Sequence, residues 1–466
     1  MELPIDATKL APGAPSRPGL LGELGPMLRL AGPVVVAELG WMAMGIVDTI
    51  VVGPLGAEAT GSVGLGNNLH LAVAIFGLGL LLGLDAMVSQ EHGAGMEAEA
   101  RRSLAQGLYL GLAITPFLMM MVLALIPLLP GWGIRPSILD LTVPYLRALV
   151  WSTGPLMVYG AIRRYLQGVG IVKPITFALV SANLVNVVAA WAFVYGHLGS
   201  RAMGVEGSGW ATCAARVYLM LVGIASFWLF GRGDAPTIRW PRLEWARLGR
   251  LLALGLPASL QVTLEVAVFA TATALAGRLD PASLASHNIV LQVSSLTFMV
   301  PLGVATAGAV RVGQALGRGD PKAAATSGWT AILIGAGFMP CSGVALLTLS
   351  RPIIGAFTED PAVIDETTRL FRLAAAFQLF DGIQVVATGV LRGTGETRLP
   401  MLVNLVAHWA IGLPVGYAIA FSLDKGIVGL WVGLSIGLSL AGLMNLAIWA
   451  RKSRRLREGR EVTVVT

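Results

Sequence analysis

Residues 258–277 read ASLQVTLEVAVFATATALAG. As a helix, such a run extends about 30 Å, the thickness of the hydrocarbon core of a bilayer. Only Gln261 and Glu265 resist an apolar surrounding. An acid at the bilayer centre costs roughly 2.5–3.5 kcal/mol on insertion scales, so it faces the protein interior and often has a task. Whether this run crosses a membrane or fills a soluble core depends on its neighbours.

Those neighbours point to a membrane. Of 466 residues, 55% are hydrophobic and only 13% are charged, with a mean hydropathy of +0.74; soluble domains carry about 25% charged residues. Apolar runs follow one another near 28–53, 62–90, 105–130, 143–162, 174–196 and 205–230. A second set lies near 251–277, 284–310, 325–350, 367–391, 399–422 and 427–450. Lipid leaves only helices or closed barrels, and these runs are too long and apolar for barrel strands. The expected fold is an all-α integral membrane protein with twelve transmembrane helices. The Pro- and Gly-rich start has no compact apolar core and reads as a tail, not a signal peptide. Cys213 and Cys341 stand far apart in apolar surroundings, so both are expected to be buried thiols outside any disulfide or metal site.

Charge orients the spans. One set of alternate loops, with both termini, carries 23 of the 33 Lys and Arg, and the other set carries five. The positive-inside rule assigns the rich side and both termini to the cytoplasm. The net charge of +7 is then a topology signal and not a sign of nucleic acid, with anionic headgroups a partner for the basic tail RKSRRLREGR.

The chain also repeats. Shifted by 224 positions, Pro33 meets Pro257, Gly53 meets Gly277, Gln90 meets Gln314, Gly93 meets Gly317 and Gly95 meets Gly319. LQGVGIVKP (166–174) resembles LRGTGETRLP (391–400) at 225. Six crossings return the chain to its starting side, so the repeats are parallel lobes related by a pseudo-two-fold along the membrane normal. The predicted organisation is a cytoplasmic tail (1–27), a six-helix lobe (28–230), a linker (231–250), a second six-helix lobe (251–450) and a basic tail (451–466). Two such lobes frame a cleft that rocks open on either side in a transporter.

Apart from Glu206 at the very start of its span, the acids within the spans are Glu38, Asp48, Asp85, Glu265 and Asp381. Glu265 and Asp381 each lie about 15 Å from the cytoplasmic interface, at matching depth. Two carboxylates in a low-dielectric site need a proton or a metal cation between them, which is the chemistry of a coupling ion. Asp85, near a helix end, is expected to reach water, and Arg216 to pair with an acid or snorkel to an interface. His287 and His408 are expected as hydrogen-bonded interior residues, and Met119–Met121 as lipid-facing.

VDTIVVGPLGAEA (47–59), AFVYG (192–196), GVEGSGWAT (204–212), LEVAVF (264–269), ASHNIVLQVSSLTFMVPLGVATAGAVRVGQALGRGD (285–320) and QLFDGIQVVATGVLRGTGETR (378–398) occur in this order. With LQGVGIVKP, they resemble the multidrug and toxic compound extrusion (MATE) family, nearest its NorM-type bacterial members. The resemblance covers nearly the whole chain after the first 25 residues. It implies efflux of amphipathic, mostly cationic compounds, driven by inward Na⁺ or H⁺, from the bacterial cytoplasmic membrane by a monomer without cofactors. It places Glu265 and Asp381 as the cation-coupling pair, where Na⁺ is one candidate ion. Asp48 becomes the acid of the first-lobe proton or substrate cavity, with Asn186 facing it and Asn183 one turn before. Gln261, Phe377 and Gln378 count as candidate cavity residues and Pro33 as a candidate hinge. Three positions depart from the family pattern: Phe377 where relatives often carry Tyr, Ala190 where Asn often follows Asn186, and Glu38 where the residue is usually uncharged.

Two other classes were weighed. A membrane-embedded lipid-modifying enzyme needs clustered metal-binding acids or a nucleophile with its base; no DxxD or HExxH pattern is present, and the GxSxG match at 433–437 falls inside an apolar run. A flippase for lipid-linked precursors needs a basic cavity, whereas the intramembrane charge here is mainly acidic. No GxxxxGK[ST] loop occurs, so transport is expected to be gradient-driven.

Overall fold

A computed structural model of the chain describes residues 19–231 and 241–459. The predicted tail before residue 19, most of the linker (232–240) and the end of the basic tail (460–466) lie outside the described residues. Among the described residues, eleven helices are long and apolar enough to cross a membrane. They are α1 (Leu20–Leu55), α2 (Ala57–Gly93), α3 (Glu97–Trp132), α5 (Lys173–Tyr195), α6 (Val205–Gly231), α7 (Trp245–Ala276), α8 (Pro281–Gly317), α9 (Pro321–Thr348), α10 (Pro361–Gly393), α11 (Arg398–Ser422) and α12 (Gly426–Arg457). The twelfth expected span, α4, is two helices in line, Pro136–Leu149 and Thr153–Gly168, joined by a 3₁₀ turn at Val150–Ser152. Most helices outrun the apolar windows by one or two turns on the basic-loop side, because they continue as helix after their sequence turns polar. Leu20 and Arg457 line one cleft, so both described ends share a face, called here the tail-bearing face.

Helices α1–α6 and α7–α12 form two lobes, and the opening turns of each first helix pack into the other lobe. Met27 and Ala31 of α1 join a core of α8, α9, α10 and α12 residues, and Leu251 of α7 joins the core of the first lobe. Residues 27 and 251 are related by the same shift of 224. The ionic contacts follow the pattern with the charges reversed. Arg311 holds Glu23 through two 2.7 Å bonds, with the Ser327 hydroxyl donating to the same carboxylate. At the related position Arg247 holds Glu91 and Glu99 and donates to Ser103.

Glycine makes the close crossings possible. A Cβ on Gly93 would stand 2.7 Å from Cα of Gln314, and one on Gly317 would stand 2.8 Å from the nitrogen of Ala94. Gly79 against Ser259 and Gly303 against Val35 form a second such pair, again related by 224. At these crossings the Gln90 amide donates to the Gly393 carbonyl (3.0 Å), and the Gln314 amide donates to the Gly168 carbonyl (2.9 Å). Among the described residues, every hydrogen bond and ion pair between the lobes lies in the half toward the tail-bearing face, none farther out than Ser259 to Phe76. The lobes are joined on that face and unbridged on the other.

Several expectations are corrected. Asp85 does not reach water: it is fully buried, accepts from Arg392 of the other lobe at 2.9 Å and lies 3.6 Å from Arg164. Arg163, Arg164 and Arg392, counted as loop cations, therefore sit inside helices. Arg216 neither snorkels nor bonds an acid; it is buried, donating to Ser152 at 2.6 Å and lying 3.4 Å from His70. His408 is buried with neither ring nitrogen partnered among the described residues, on a π-helical stretch, Leu405–Gly412. His287 is bonded as expected, 2.8 Å from the Thr273 hydroxyl. Cys341 is exposed and Cys213 half-buried, both free. Met120 and Met121 are exposed on the apolar surface.

The departure at Glu38 has a physical explanation, since its carboxylate pairs with buried Arg163. Removing one partner strands the other. Glu38→Gln is expected to cost about 3 kcal/mol, and Glu38→Gln/Arg163→Met to recover most of it. Thermal unfolding of the purified protein in detergent checks this; a double variant less stable than the single would contradict it.

Candidate functional site

The opening carboxylate lies deep in the second lobe. Glu265 is half-buried on α7 and accepts from the amide of Asn404 (3.2 Å) and that of Gln384 (3.4 Å). Gln261, one turn earlier on α7, is also within hydrogen-bonding reach. Gln384 stands three residues after Asp381 on α10, so the two share one helical face. Asp381 is buried, within electrostatic reach of Glu265, and has no hydrogen-bond donor among the described residues. The acids thus interact through space, with the amides of Gln384 and Asn404 bonded to Glu265 alone. Among the described residues, no basic side chain is bonded to either acid. The amide oxygens of Gln384 and Asn404 are buried and unpartnered as well. Buried acceptors without donors are costly, so this cluster is chemically fit for a proton or an oxygen-loving cation.

Local sequence explains the placement. Pro257 removes a helical N–H eight residues before Glu265, which loosens the first half of α7. Asn404 closes the regular part of α11, and the π-helical stretch that follows puts the Trp409 indole on the Leu264 carbonyl at 3.0 Å. Such π segments are frequent at functional sites.

The first lobe holds a smaller, better satisfied site. Asp48 is buried on α1 and accepts from Asn186 (2.8 Å) and from the Thr212 hydroxyl (2.9 Å). Arg216, one turn after Thr212, lies within electrostatic reach of Asp48. Asn183 does not join this group; its amide donates to the Gly40 carbonyl at 2.8 Å. Ala190 is fully buried and adds no polar atom.

The other candidates have no hydrogen bond to either acid among the described residues. Gln378 donates to Thr297 at 3.1 Å. Phe377 stacks on Trp431, centroids 5.8 Å apart, with His287 edge-on to the same indole. The carbonyl of Pro33 accepts from Thr176 at 2.7 Å, and α1 continues as helix through it. Residue reading missed Gln384, Asn404, Thr212 and Arg216 as site members. Gln384 was within reach of it, one turn from an intramembrane acid.

Comparison with known proteins fixes the family. The MatE family model matches twice, over residues 33–192 and 257–418, so the two copies start 224 positions apart. The chain belongs to the MatE family. It is 37% identical over 453 residues to the "Probable multidrug resistance protein NorM" of Mesorhizobium japonicum, covering 93% of this chain and 94% of that one. It is 34% identical over 456 residues to the multidrug resistance protein PmpM of Pseudomonas aeruginosa, covering 96% and 95%. One solved structure, described as the outward-facing conformation of a multidrug resistance MATE family transporter of the MOP superfamily, superposes with a TM-score of 0.84 at 21% identity, over 95% of this chain and 98% of that one. This MatE chain is therefore a multi-pass membrane transporter and not an enzyme, with the two-lobe architecture of MATE transporters.

Proposed function

We propose that the chain is a secondary active multidrug efflux antiporter that exports amphipathic, mostly cationic compounds in exchange for inward-moving Na⁺ or H⁺. The observation that carries this reading is the pair Glu265 and Asp381, held inside the second lobe with no basic side chain bonded to either and two orphan amide oxygens beside them. The relatives named above are multidrug resistance proteins, and their likeness covers nearly the whole chain.

The coupling cycle follows from the geometry. With the tail-bearing face joined and the other face unbridged, ion and cargo exchange with the outer side. The basic loops place the tail-bearing face in the cytoplasm of a bacterial cell, at its inner membrane. An ion taken up between Glu265 and Asp381 cancels one of their two negative charges, and the lobes then rock about the site. An inward monovalent cation gains about 2.3 kcal/mol per 100 mV of membrane potential, enough to move cargo uphill more than tenfold. Asp48, with Asn186 and Thr212, forms the first-lobe counterpart for proton or cargo. Arg216 already supplies Asp48 with a positive neighbour, so the second lobe is the stronger ion site. The chain works as a monomer.

Cargo charge is testable by competition against bound ethidium in detergent. Tetraphenylphosphonium is expected to displace it at least about tenfold more tightly than an anionic dye of similar size, a difference of about 1.4 kcal/mol. Displacement by an anionic polyprenyl phosphate as effective as by the cation would favour the flippase reading instead.

A further inference from the structure

We propose that the cleft between α1, α9 and α12 on the tail-bearing face binds one acidic phospholipid. The cleft has a volume of about 450 Å³. Its α12 wall is made by Ala450, Ser453, Arg454 and Arg457, a three- and four-residue spacing that puts all four on one helical face. Arg457 ends α12 and Ala450 lies about 10 Å deeper, so the cations stand at the rim and the apolar surface lies below. Opposite, Trp329 and Leu333 stand one turn apart on α9, and the Trp329 indole donates to the buried Ser453 hydroxyl at 3.1 Å.

Neither the Arg454 nor the Arg457 guanidinium has an ion pair or hydrogen bond among the described residues, and no acid among them lines the cleft. Neighbouring Lys452, in contrast, faces Glu396 at 3.9 Å. Guanidinium at the rim, indole below it and leucine deeper still match the phosphate, glycerol and acyl levels of a lipid. The guanidinium fork suits a phosphate, and the two side chains are one turn apart and able to share it. Leu20 opens α1 and forms the remaining wall, so the occupant also bridges the first helix of one lobe to the other lobe.

The test is native mass spectrometry of the full chain in detergent with equimolar phosphatidylglycerol and phosphatidylcholine. The wild type is expected to retain a single phosphatidylglycerol with about tenfold preference. Arg454→Gln/Arg457→Gln is expected to abolish the preference, and Arg451→Gln/Arg455→Gln, with the same change in charge, to keep it. Each single variant, Arg454→Gln or Arg457→Gln, is expected to lose part of it, which keeps the test open should the double variant not fold. Four outcomes would overturn the proposal. They are no preference in the wild type, equal loss in both double variants, displacement of the lipid by equimolar inorganic phosphate, and a preference that emerges only after deletion of residues 1–18. The last would make the chain's own tail, which carries Glu2 and Asp6, the occupant.

Discussion

Glu265→Gln is expected to stop ion-coupled export while leaving the protein folded. The substituted amide has the shape of the acid and can still accept from Asn404 or Gln384, so the bonds that fix α7 against α10 and α11 have a replacement. Removing a desolvated charge from its surroundings does not destabilise them when no basic group was paired with it. What is lost is the attraction for a cation. A desolvated ion deprived of its counter-charge loses about 3 kcal/mol, which weakens ion binding by roughly a hundredfold. Ethidium export by reconstituted protein should fall to background while the melting temperature holds. Export above a tenth of the wild-type rate would remove Glu265 from the coupling site. Asp381→Asn is expected to act in the same direction.

The second large effect concerns the joined face. Gly317→Val adds bulk where even a Cβ meets the Gln90 carbonyl and the Ala94 nitrogen. Overpacking of this kind costs about 1–3 kcal/mol. The penalty falls only on the arrangement in which α2 and α8 cross closely. A two-state equilibrium therefore moves toward separation by up to roughly a hundredfold. Spin labels at positions 97 and 322, on the tail-bearing side of opposite lobes, should report a longer mean distance than in the wild type. Export should fall although ethidium still binds. An unchanged distance in a folded, ethidium-binding variant would mean that this crossing does not set the closed state.

The spans and the two lobes were legible because long apolar runs stand out. The repeat was legible for a related reason: Gly93 and Gly317 recur where backbones meet, and nothing larger fits. The interruption of α4 at Val150–Ser152 was overlooked, although Gly154 and Pro155 follow it and Pro155 lacks the N–H that would bond the Trp151 carbonyl. Asp85 was misread because its partner Arg392 lies 307 residues away, and Glu38 lacked an explanation until Arg163, 125 residues on, was seen beside it. Asn404 and Gln384 are ordinary amides in sequence. Only the packing of α7 against α10 and α11 gathers them at one carboxylate. Cys341 looked buried because hydropathy does not distinguish a lipid-facing position from a protein core.

The most direct test of the central claim is ethidium movement in proteoliposomes under an imposed Na⁺ gradient and, separately, an imposed pH gradient, with no nucleotide present. At least one gradient is expected to drive ethidium against its own concentration gradient, with the drive abolished by Glu265→Gln. A folded wild-type protein that moves no ethidium under either gradient, or moves it equally well with Glu265→Gln, would contradict ion-coupled export through the second-lobe carboxylates.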